Sequence, residues 1–241
     1  IIQYNKKFII KLYRKIDRGT DRDVEICNYL CKNKDFKFVP EYLGQIEYTK
    51  KGDIKRTLAI VQEYVPNYGT AWQYFSDALN QFYERVSIHG GEIELPPIEG
   101  SLEKPRIFED LSTPTQELIG GAHIEHIRLL AQRTAEMHLA LGTNCQHKDF
   151  EPEAFSLHYQ RSLFSALKSL VRSAYDPLKK HLHEFPENHQ EEINVFLGLK
   201  ESLLQKMKRI YDHKIDAVKI RPHGNYELNS ILFKDGDFVI T

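Results

Sequence analysis

The apolar pattern of this chain changes period once, and that change limits the folds open to it. Up to Val65 the apolar residues come in short β-rich runs, at Lys7–Tyr13, Tyr42–Tyr48 and Arg56–Val65. Beyond Pro66–Thr70 they recur at helical spacing instead, first as Ala71, Phe75, Leu79, Phe82 and Val86, with Trp72 and Tyr74 widening that face. A second stripe, Ile127, Ala131, Thr134, His138 and Leu141, marks a helix over Ile124–Leu141 with His138 as a core histidine. The chain therefore reads as an α+β protein with a small β-rich lobe over 1–66 and a helical lobe over 67–241.

Local signals fill in the rest. Asp21 is placed to cap a helix that buries Val24, Cys27, Leu30 and Cys31 and ends near Asn33. Lys50–Asp53 suits a hairpin turn. Gly90, Gly91, Pro96, Pro97, Gly100, Pro105 and Pro114 predict a long irregular segment between Ile88 and Ile119. Two or three helices fit between Pro152 and Tyr211, divided near Pro177 and around Phe185–Asn188. Ser230–Phe233, the turn Lys234–Asp237 and Phe238–Ile240 read as a late hairpin. The abrupt start at Ile1 and the apolar run up to Thr241 read as cuts through a larger protein, so both lobes are expected to be incomplete.

Charge and motifs narrow the function classes. With 33 Lys plus Arg against 34 Asp plus Glu the formal charge is −1, which removes the pull toward phosphate backbones that nucleic-acid binders rely on. No apolar run approaches a bilayer span, so no membrane partner is expected. Cys27, Cys31 and Cys145 are an odd set without zinc-finger spacing and read as reduced thiols of a cytoplasmic protein. His123 with His126, and His181 with His183, lack a third ligand nearby and read as solvated histidines. The phosphate loop, dinucleotide fingerprint, nucleophile elbow and zinc-protease signatures are all missing from the sequence.

Two segments remain. Lys11 stands between Ile10 and Leu12 inside a strand. It is either an edge lysine reaching water or a lysine that meets an anion, as in a kinase small lobe, with Glu25 on the following helix as its partner. The other segment is Arg221-Pro222-His223-Gly224-Asn225-Tyr226-Glu227-Leu228-Asn229-Ser230-Ile231-Leu232, followed by the hairpin.

That loop resembles the catalytic loop of maltokinases, which have the aminoglycoside-phosphotransferase type of kinase-like fold and typically read His-Gly-Asp-Tyr-His-Leu-Gly-Gln-Val-Leu there. The resemblance extends in order to Phe8–Arg14, Gln62–Trp72 and Arg133–Leu141. It implies a two-lobed protein-kinase-like fold that uses ATP and Mg2+ to phosphorylate the anomeric hydroxyl of maltose or a related α-glucoside. In bacteria this domain occurs alone or fused to trehalose synthase. By the same resemblance Lys11 holds the ATP phosphates, Glu25 orients it, and Gln62, Glu63, Tyr64 and Val65 form the hinge that meets the adenine. His223 and Asn225 fall in the catalytic loop, Ser230 falls at a metal position, and the main metal-binding Asp is expected beyond Thr241.

The loop departs from the family where the chemistry is done. Asn225 stands at the place of the Asp that accepts the sugar proton, and a neutral amide is no general base. Ser230 offers a shorter, weaker oxygen than Gln, and Glu227 and Asn229 replace His and Gly. The expectation is a maltokinase-like domain with a degenerate catalytic loop. The alternative is an inactive kinase-like module that serves as a binding or scaffold domain of a trehalose synthase-type protein.

Overall fold

In the computed structural model the described residues are 1–33, 35–51, 54–88, 107–143 and 147–241. They form a mixed α+β structure that divides into two compact units, residues 1–150 with 221–241, and residues 151–220. The boundary expected between Pro66 and Asn67 thus falls inside the first unit.

The first unit opens with strands β1 (Ile2–Tyr4) and β2 (Phe8–Leu12), then helix α1 (Arg22–Lys32) and strands β3 (Tyr42–Tyr48) and β4 (Arg56–Glu63). All pair antiparallel in the order β1-β2-β4-β3, with Lys11 opposite Ile60. Ile60 and, on α1, Val24 and Cys27 form the core between helix and sheet. Asp21 caps α1 as expected, its carboxylate accepting from the Asp23 amide at 2.9 Å, and Asn33 ends the helix. Part of the expected turn, 52–53, lies outside the described residues.

Helices α2 (Ala71–Ile88), α3 (Thr113–Ile119) and α4 (Gly121–Thr143) follow. Three expectations need correction here. Of the expected face Ala71 is buried, but Trp72 and Leu79 are about half exposed, at 55% and 52%, and Ala78 is buried in their place. Within the segment expected to be irregular, 89–106 lies outside the described residues, but Thr113–Ile119 is helical because Ser112 precedes it and Pro114 sits in the first turn, where its missing N–H costs nothing. On α4 the buried face is Met137, Ala140 and Leu141, one position round from the expected stripe, so His138 is an exposed histidine and not a core one.

The second unit holds β5 (Glu153–Ala154), α5 (Leu157–Lys180), α6 (Glu187–Gly198), α7 (Lys200–Lys208) and β6 (Val218–Lys219), which pairs with β5. Pro177 does not divide the helices. It lies in the last turn of α5, where one backbone hydrogen bond is lost and the chain is ending in any case. The buried Gln160 amide donates to the carbonyls of Ile210 and His213 at 2.5 and 2.8 Å, tying the end of this unit to α5.

Back in the first unit, the hairpin β7 (Ile231–Lys234) and β8 (Asp237–Ile240) closes the chain. Asp235 and Gly236 take φ of 50° and 78°, the left-handed pair that a two-residue turn between twisted strands requires. Among the described residues no helix is long and apolar enough to cross a membrane.

Candidate functional site

The site is built from β2, the first turn of α1 and the loop 221–230. Successive residues on a helix are about 100° apart, so Asp23 and Glu25 point in nearly opposite directions. Lys11 shares the α1-facing side of the sheet with Ile60, and its Nζ reaches Asp23 Oδ2 at 2.5 Å. Glu25 instead pairs with Arg221, whose guanidinium also lies over the Phe150 ring at 5.3 Å. The expected Lys11–Glu25 pair is therefore absent. The carboxylate that meets the lysine is two residues earlier, on the turn nearest the strand.

The loop follows from its glycine. Gly224 has φ of +94°, a left-handed backbone that favours glycine, and a Cβ there would come 2.5 Å from Cδ of the Arg22 side chain, which would have to shift. Tyr226 meets the Thr134 hydroxyl at 2.5 Å and holds the loop to α4. His223 is half-buried with Nδ1 lacking a hydrogen-bond partner. Burial pushes its pKa below the usual value and Lys11 adds to that, while Asp23 opposes it. His223, Lys11, Asp23 and Gln62 line a cavity of about 20 Å³, room for roughly one water and far too small for a purine. On its other side Asp23, with Arg22, Glu25, Arg221, Gly224 and Asn225, lines a polar pocket of about 410 Å³.

The chemical positions of the loop satisfy one another. Asn225 Nδ2 donates to Ser230 Oγ at 3.0 Å, and Ser230 is buried with its N–H on the Glu227 carbonyl at 2.8 Å. Glu227 is exposed. Among the described residues no group of three His, Cys, Asp or Glu side chains could hold a metal ion. Asn225 and Ser230 bring no charge of their own, so these residues do not fit a magnesium ion.

The proposed hinge is also engaged inside the chain. The Glu63 and Tyr64 amides donate to the Glu41 and Lys7 carbonyls at 2.9 and 3.0 Å. The Val65 carbonyl accepts from Asn67 Nδ2 at 2.9 Å, and Gln62 Nε2 is on Cys27 Sγ at 3.1 Å.

Several residues were not legible beforehand. Arg133 makes a two-pronged pair with Asp237 at 2.9 and 2.8 Å and lies 3.6 Å over the Phe38 ring, which locks the hairpin to α4. Burial works to raise the Asp237 carboxyl, but the Arg133 hydrogen bonds, the Phe238 amide and the Arg133 charge together outweigh it and leave it below the usual carboxylate range. His123 and His126 are half-buried rather than solvated, and share the Tyr74 hydroxyl at 3.2 and 2.5 Å. No sequence spacing announces these contacts, although an arginine inside an apolar helical stripe is a usable hint of a buried partner. No protein-family model matches the chain, and no curated protein is significantly similar to it.

Proposed function

We propose that this chain is a maltokinase-like domain of two-lobed, kinase-like fold whose catalytic loop has become a binding and structural element, so that phosphoryl transfer is very slow or lost. The observation that carries this reading is the Asn225–Ser230 hydrogen bond, which joins the base position to the metal position through neutral groups. An amide accepts no proton, and loss of a general base costs about 10²–10⁴ in rate. The module then serves as a cytoplasmic binding or scaffold domain, suited to an α-glucoside such as maltose and to a trehalose synthase-type partner domain.

A second reading keeps the full activity, transfer from ATP with Mg2+ to the anomeric hydroxyl of maltose. Lys11 favours it, because a half-buried lysine held by a carboxylate beside the loop is what a phosphate-binding site needs. Glu227, exposed two residues from Asn225, is then the replacement base. Calorimetry with ATP and with maltose, alongside radiolabelled transfer between them, separates the readings. Maltose binding without transfer supports the first, and transfer that vanishes in Glu227→Gln supports the second.

A further inference from the structure

Helix α1 turns Cys27 and Cys31 toward the Pro40 carbonyl that leads into β3. The two Sγ atoms are 4.0 Å apart, and Pro40 O lies 3.0 Å from Cys31 Sγ and 3.7 Å from Cys27 Sγ. An ion equidistant from all three atoms is about 2.1 Å from each in their plane and reaches the roughly 2.3 Å of a zinc–sulfur bond just out of that plane. Each sulfur also receives an outer N–H donor, Cys31 from the Tyr42 amide at 3.2 Å and Cys27 from Gln62 Nε2 at 3.1 Å. Donors of this kind stabilise thiolates in metal sites.

We propose that Cys27, Cys31 and the Pro40 carbonyl form a binding site for one thiophilic divalent ion of the zinc and cadmium class. Without the ion the two thiols donate to the carbonyl. On binding, two S–H bonds break, two metal–sulfur bonds form, and two protons leave to solvent. The two thiolate charges then cancel the ion's. Asp23 near Cys27, and Glu41 and Glu63 near Cys31, set negative charge around the site, which suits a cation. Cys31 is only half-buried, which gives the ion a way in. Cysteine spacing alone did not suggest the site, because its third ligand is a backbone oxygen.

The test is titration of the reduced, chelator-treated full chain with cadmium. The expected result is one ion per chain, a thiolate-to-metal absorption band, release of two protons, and slower alkylation of Cys31. Cys27→Ala and Cys31→Ser should each lose the band, and Cys145→Ser should keep it. A band that survives either of the first two changes, or that disappears with Cys145→Ser, overturns the proposal. So does an unchanged rate of Cys31 alkylation under saturating cadmium, which is read on the unmodified chain and needs no variant to fold.

Discussion

The two sides of the candidate site are made of different chemistry. On the α1 side Lys11, Asp23, Glu25 and Arg221 meet as two ion pairs. On the loop side Asn225 and Ser230 meet as an amide and a hydroxyl. Paired charges keep their charge and exchange partners readily, so the α1 side can release Lys11 to an anionic ligand at modest cost. A neutral hydrogen-bonded pair has neither a proton acceptor nor a cation ligand of any strength to offer. Binding capacity and transfer capacity can thus be lost separately, and the proposed function puts the loss on the loop.

The largest effect should come from releasing the loop side from its frame. Arg133→Ala leaves Asp237 partly buried without its partner, and the Arg133 side chain is only 12% exposed. Removing one member of a fully buried pair costs about 3–5 kcal/mol, and Asp237, at 32% exposed, lowers this to about 2–4 kcal/mol. Urea denaturation should show a loss near that size, whereas Arg22→Ala at the exposed rim of the site should change stability by less than about 0.5 kcal/mol.

Gly224→Ala comes next, at about 1–3 kcal/mol, from the left-handed backbone and the clash with Arg22. Adding Arg22→Ala should recover the part due to the clash, and a full recovery would show that the backbone angle is not strained. For the α1 side, a double-mutant cycle should give Lys11 and Asp23 a coupling of about 0.2–1 kcal/mol, since both are partly exposed. The cycle of Lys11 with Glu25 should give a coupling near zero, and the reverse order would reinstate the partner that the sequence suggested.

The smallest effect is a pH dependence. His123 and His223 are both held below the usual histidine pKa, His123 by burial and then by the Arg85 and His126 charges, His223 by burial and then Lys11 against Asp23. A lowered histidine favours the folded state while neutral, so this stability is complete above the unfolded value of about 6.5 and is lost as pH falls below it. Thermal unfolding between pH 7 and 5 should show a falling midpoint, flattened in the double variant His123→Gln with His223→Gln.

Much of the frame was legible because local and tertiary signals agreed. The Asp21 cap, β2, β3, β4 and the Asp235-Gly236 turn each follow from residues within a few positions of one another. The failures arose where a neighbour distant in sequence decided. Asp23 rather than Glu25 meets Lys11 because of where α1 leans on the sheet, which the helical pattern leaves open by a residue or two. His138 looked buried because a stripe of five positions cannot fix the helix rotation to better than one residue. Pro177 looked like a boundary because its position relative to the helix end was unknown. Within the site, the identity of the loop residues was readable, but their mutual satisfaction was not, since Asn225 and Ser230 meet only once the 3-10 turn at Leu228–Ser230 forms.

In the proposed function the loop, and not the α1 side, limits transfer. Radiolabelled phosphoryl transfer from ATP to maltose, with magnesium, measures this in the complete protein extending beyond Thr241, unmodified and with Asn225→Asp combined with Ser230→Gln. The unmodified chain should transfer at least about 100-fold more slowly than the 1–100 s⁻¹ usual for kinases, and the double variant should exceed the sum of the two single changes. Turnover by the unmodified chain within that usual range would contradict the claim.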